Sequence, residues 1–173
     1  FFKIGKGSLG GKARGLAFAS NLLKHHTDLH ERYSDVEISV PQSLVITTEG
    51  FESFIQENSF LNVSNADMSD EMIAETFLKA KFPIWIKMDL EAYLRRVNYP
   101  IAIRSSSLLE DAQFRAYAGL YRTYMLPNDC TSFESRLEHL INAIKLVYAS
   151  TYFQGAKAFS KRVGNRTEEE KMA

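Results

Sequence analysis

The segment Pro100-Ile-Ala-Ile-Arg-Ser-Ser-Ser-Leu-Leu-Glu-Asp-Ala112 admits few local folds. Ile101 to Ile103 is too brief to complete a helical period. With a proline ahead and serines behind, it reads as a buried strand that delivers Arg104 to its end. The continuation Tyr117-Ala-Gly-Leu-Tyr-Arg-Thr123 brings a flexible Ala-Gly pair and a second short apolar run, Leu120 to Leu126, expected to return as a strand beside the first. Hydroxyls, backbone N–H groups and a guanidinium therefore crowd into one region, a mixture that suits phosphate. The same residues also describe a polar loop in which Arg104 pairs with Glu110 or Asp111.

A second segment bears on that choice. Phe1 to Ile4 is expected as a short strand, followed by Gly5-Lys-Gly-Ser-Leu-Gly-Gly-Lys12, a glycine-rich loop opening a helix through Ala13, Leu16, Ala17 and Leu23. Gly5, Gly7 and Gly10 satisfy the dinucleotide spacing, but no acid on a following strand answers it, since Asp28 and Glu31 lie in the polar segment from His25 to Asp35. The P-loop pattern fails as well, because Lys6 stands where it needs glycine and Ala13 where it needs Ser or Thr. What survives is general: glycines allow close backbone approach, a helix N-terminus offers N–H groups, and Lys12 adds a charge for an anion.

The remaining pattern alternates helices and short strands. Val40-Pro41 ends the polar segment, and Ser43 to Thr48 reads as a strand with Thr47 or Thr48 capping a helix that buries Phe51, Phe54 and Ile55. Ser69 is expected to cap a helix with Met72, Ile73 and Phe77 inward. Pro83 precedes another helix with Leu90, Tyr93, Leu94 and Val97 inward, and Trp85 is assigned to packing. Thr131 and Glu134 form an expected capping box for a long helix whose stripe is Phe133, Leu137, Leu140, Ile141, Ile144, Val147, Tyr148 and Tyr152, interrupted by Gly155. Ala156 to Arg162 continues as helix, and Gly164 to Lys171 reads as a polar loop.

Composition narrows the function classes. With 173 residues and 45% hydrophobic content, one substantial core is within reach. Twenty-one basic residues balance 21 acidic ones, so neither nucleic acid nor a membrane surface is indicated as a partner. Cys130 is the single cysteine, no Cys/His set has zinc spacing, and a reducing cytoplasm is the expected compartment. The chain opens at Phe1 and closes at Met172-Ala173, which is expected of a piece of a longer protein.

Taken together, Gly10-Gly-Lys-Ala-Arg-Gly-Leu16, Val40-Pro-Gln-Ser-Leu-Val-Ile-Thr-Thr-Glu-Gly-Phe51, Ile101-Ala-Ile-Arg-Ser-Ser-Ser107, Glu110-Asp111 and Tyr117-Ala-Gly-Leu-Tyr-Arg-Thr123 resemble the nucleotide-binding domain of the phosphoenolpyruvate synthase and pyruvate phosphate dikinase family. Val147-Tyr-Ala-Ser-Thr-Tyr-Phe153 extends the likeness into the long helix. The resemblance implies an α+β chain, the first lobe of an ATP-grasp-like fold, with a small mixed sheet packed by several helices. By position, Lys12 and Arg104 match the cations on the ATP phosphates, and they are the candidate catalytic pair. Gly10, Gly11, Ser105, Gly119 and Thr123 complete the implied nucleotide site.

The same resemblance places the magnesium ligands on a second lobe that would begin near Met172, so ATP is expected here without a metal site of the chain's own. The implied activity is ATP-dependent phosphoryl transfer to a histidine carrier and on to an acceptor such as pyruvate, with downstream domains as partners and no activity in this piece alone. None of His25, His26, His30 or His139 sits in a carrier motif. The other readings are a nucleotide sensor without catalysis and an interaction module with no nucleotide.

Overall fold

A computed structural model describes residues 1–26, 28–60, 68–107, 119–163 and 171–173. The chain is α+β, and its strands come as two separate pairs. Strand β1 (Phe2–Ile4) pairs in parallel with β2 (Leu44–Ile46), Phe2 opposite Leu44 and Ile4 opposite Ile46. Strand β3 (Ile101–Arg104) pairs antiparallel with β4 (Thr123–Leu126), Arg104 opposite Thr123. The α+β class is as expected, but in place of one small mixed sheet the described residues form one parallel pair and one antiparallel pair. The returning strand is shorter than Leu120 to Leu126, because a turn occupies Gly119 and Leu120.

Helix α1 (Gly10–His25) starts in the glycine-rich segment as expected, but of its proposed stripe only Ala13 is buried. The polar segment after it holds a short helix, α2 (Asp28–Arg32). Asp28 and Glu31 in its first turn favour the positive end of the helix dipole.

The core forms where apolar stripes face one another. Helix α3 (Thr48–Glu57) buries Phe51, Phe54 and Ile55. Helix α4 (Asp70–Lys79) is capped by the Ser69 hydroxyl, which accepts from the Met72 N–H at 3.3 Å, and buries Ile73 and Phe77. Met72 points outward at 54% exposure, against the inward expectation. As the second residue after Asp70 it lies about 100° around the helix from Ile73. Helix α5 (Ile84–Leu94) buries Ile86, Leu90 and Leu94. Val97 is buried too, although it follows the helix.

The long helix α6 (Phe133–Ser150) buries Leu137, Leu140, Ile144, Val147 and Tyr148, the stripe read from the sequence. Its cap is Ser132 and not Thr131: the Ser132 hydroxyl accepts from the Ser135 N–H at 3.3 Å and donates to Glu134 at 2.8 Å. Either hydroxyl satisfies a capping rule, and the extended backbone at Ser132 decides between them. The helix closes at Ser150, and Gly155 lies inside the next one, α7 (Gln154–Val163), so the break falls ahead of the glycine that was expected to cause it.

Phe54 is the hub of the packing, with ring centroids of Phe60, Phe77 and Tyr148 at 5.8, 5.6 and 5.7 Å. Each such pair adds about 0.5–1.5 kcal/mol beyond the area it buries. Trp85 packs against this core, as expected. Buried Lys145 ties α6 to the end of α4, donating to the carbonyls of Leu78 at 2.9 Å and Ala80 at 2.7 Å. Burial draws its pKa down, while two carbonyls at the negative end of a helix favour the ammonium.

Candidate functional site

The glycine-rich segment is held on two sides. On the first, β2 runs into Thr47-Thr48-Glu49, and each of these residues accepts a backbone N–H from the turn: Lys6 to Glu49 at 2.5 Å, Gly7 to Thr47 at 3.2 Å, Ser8 to Thr48 at 3.0 Å. Thr47 is the N-cap residue of α3, yet its hydroxyl makes no cap bond in its own helix. The two threonine side chains point instead into the space left by glycine: a Cβ on Gly5 or Gly7 would collide with their hydroxyls.

On the second side, β3 runs into Ser105-Ser106-Ser107, all three buried. The Ser106 hydroxyl accepts from the Ala13 N–H at 3.0 Å and donates to the Leu9 carbonyl at 2.9 Å, and the Ser107 carbonyl accepts from the Gly11 N–H at 3.1 Å. Gly10 gives its N–H to Ser8 at 3.3 Å. The opening N–H groups of α1 are therefore largely taken up within the protein. This revises the expectation that the helix N-terminus itself offers donors to an anion.

Side chains carry the charge instead. Lys12 lies in the first turn of α1, and its Nζ donates to the Ser105 hydroxyl at 3.4 Å. Lys12, Arg104, Ser105 and Ser106 border a single cavity of about 770 Å³, a size ordinary for small-molecule sites. The rest of its wall is largely apolar, built from Leu44 and Ile46 of β2, Ile101 and Ile103 of β3, Leu90 of α5, and Leu140, Ile144 and Tyr148 of α6. Tyr93 and Tyr99 stand on the same wall, and burial, then the neighbouring Tyr99, pushes the Tyr93 phenol up to about 12. The Tyr148 hydroxyl is buried and has no hydrogen-bond partner among the described residues. Burial raises its pKa as well.

The proposed site residues divide by position. Lys12, Arg104 and Ser105 border the cavity; Gly10 and Gly11 open α1 ahead of Lys12; Gly119 and Thr123 stand outside the cavity wall, although Thr123 is paired with Arg104 across β3 and β4. Glu110, Asp111 and Tyr117 lie outside the described residues. The roles of Thr47, Thr48 and Glu49 went unread because a Thr-Thr-Glu run before an apolar stripe is sufficiently explained as a helix start. Their partners are some 40 residues away.

This is an α+β fold in which two cations from distant parts of the chain border one largely apolar cavity. The chain belongs to the family described as "Pyruvate phosphate dikinase, AMP/ATP-binding domain", whose model it matches over residues 6–173. It is 26% identical over 138 residues to a Bacillus subtilis (strain 168) protein described as "Uncharacterized phosphotransferase YvkC", an alignment covering 78% of this chain and 15% of that relative. No solved structure matches it. Among the described residues no helix is long and apolar enough to cross a membrane, and no group of His, Cys, Asp and Glu is arranged to hold a metal ion.

Proposed function

We propose that this chain is the first lobe of an ATP-grasp-like, ATP-binding domain in a larger dikinase-type phosphotransferase, one that passes a phosphoryl group from ATP to a histidine carrier and on to an acceptor such as pyruvate. The observation that carries this reading is the meeting of Lys12 and Arg104 at one cavity. Phosphoryl transfer depends on alignment and charge neutralisation more than on covalent chemistry. A lysine supplies a mobile charge and an arginine a two-pronged fork, together suited to a polyphosphate. The Ser105 hydroxyl, which accepts from the Lys12 ammonium at 3.4 Å, holds that charge beside the cavity.

ATP would meet Lys12, Arg104 and Ser105 with its phosphates. Magnesium would screen the phosphate charge during transfer. On this reading its ligands come from the second lobe. Thr123, opposite Arg104 on β4, and Gly119, four residues ahead of it in the chain, would close over the phosphates.

The test is nucleotide binding and ATP-dependent autophosphorylation of the full-length protein carrying Lys12→Ala or Arg104→Ala. A charge-assisted hydrogen bond contributes about 1.5–3 kcal/mol, so each variant should bind ATP roughly ten- to over a hundred-fold more weakly while melting normally. Full affinity and full activity in both variants would refute the assignment.

A further inference from the structure

The cavity has a second property that nucleotide chemistry does not account for. It separates two sheet edges. β2 is paired with β1 on one side and β3 with β4 on one side, and among the described residues neither has a strand on the other; both line the cavity. Two-stranded ribbons are marginal by themselves, and bare edges invite pairing.

The open edge of β3 is already partly paired where the strand leaves the cavity. Ser106 and Ala173 exchange both backbone hydrogen bonds, Ser106 N–H to the Ala173 carbonyl at 2.8 Å and Ala173 N–H to the Ser106 carbonyl at 3.1 Å. Ser107 stands opposite Met172 in antiparallel sense, both fully buried. In an antiparallel ladder alternate residues turn their N–H and C=O to the same edge. Counting back from Ser106, the backbone groups of Arg104 and Ala102 face that edge, while those of Ile103 and Ile101 face β4.

We propose that a β-strand fills this gap, antiparallel to β3, in the register that Met172 and Ala173 begin, and, resting on the reading of this chain as part of a larger protein, that polypeptide continuing from Ala173 supplies it. Its second and fourth residues after Ala173 pair with Arg104 and Ala102. Its first, third and fifth share the inward face of Met172, Ser105, Ile103 and Ile101 and are apolar, matching the cavity wall. The new strand's far edge faces the Leu44 and Ile46 side of β2. Those two residues have their backbone groups turned away from β1, since Phe2 bonds to Ser43 and Ile4 bonds to Thr47. Met172 therefore starts a strand of this lobe and not the second lobe. The Tyr148 hydroxyl, buried on the cavity wall without a partner, gains a backbone carbonyl to donate to. The phosphates keep the side of the cavity bordered by Lys12, Arg104, Ser105 and Ser106.

The experiment is amide hydrogen exchange on the full-length protein without nucleotide, resolved at Ala102, Arg104, Leu44 and Ile46. A filled gap slows Ala102 and Arg104 about a hundredfold or more relative to an unpaired edge. Ala173→Pro, which removes one bond of the register, should return those two amides to fast exchange while Ile103, bonded to β4, stays slow. Fast exchange at Ala102 and Arg104 in the unmodified protein overturns the proposal. So does slow exchange that appears only after ATP is added, which would give the whole cavity to the nucleotide. Neither result bears on the affinity loss expected of Lys12→Ala and Arg104→Ala, so the two readings fail separately.

Discussion

Gly10 and Ser106 touch where a side chain would otherwise stand: a Cβ built on Gly10 falls on the Ser106 carbonyl group and its hydroxyl. Gly10 also has φ +71°, a backbone state that glycine adopts without strain. The first residue of α1 and the end of β3 can approach only because one of them lacks a side chain, and this approach places Lys12 beside Ser105.

Gly10→Ala should therefore lower stability by more than about 2 kcal/mol, combining left-handed strain with a backbone clash. Gly15, in the same helix with open space around it, is the control. Gly15→Ala should raise stability by about 0.5–1 kcal/mol through helix propensity. Urea denaturation of both variants beside the parent protein measures the contrast. Equal midpoints would show that the turn tolerates a side chain.

Thr48→Val keeps the shape of the side chain and removes the acceptor for the Ser8 N–H. The stranded donor should cost about 1–3 kcal/mol, and exchange of the Ser8 amide should accelerate. Thr48→Ser, which retains the oxygen, should restore most of both. A valine variant as stable as the parent would mean that the threonines do not hold the turn.

Lys145→Met removes the donor for two carbonyls at the end of α4 and should destabilise by about 1.5–3 kcal/mol. Because Lys145 is buried, the loss should change little between low and high salt. Lys79 and Glu75 form an exposed pair at 3.4 Å on α4, and Lys79→Ala should cost no more than about 0.5 kcal/mol, vanishing in salt. Thermal melts of both variants at two ionic strengths compare them.

Helix α6 shows how far periodicity reaches. Leu137, Leu140, Ile144, Val147 and Tyr148 are buried as their spacing requires, because the helical period alone decides which residues share a face. The strand ending at Arg104 was legible for a similar reason: a run that short between a proline and serines has no helical alternative. The start of α6 was readable only to within a residue, since Thr131 and Ser132 carry the same capping chemistry and only the backbone angles choose between them.

The amino-acid order determined most of the elements, the aromatic core face of α3, and the candidate cations Lys12 and Arg104, because each of these follows from neighbours within a turn or a strand. Which groups answer the glycine turn was settled only in three dimensions. Thr47, Thr48 and Ser106 are local capping or loop residues by their flanks, and they become the turn's hydrogen-bond acceptors because β2 and β3 deliver them there across tens of residues. Local sequence limits what a segment is able to form, whereas a buried donor takes whichever acceptor the packed chain brings within reach.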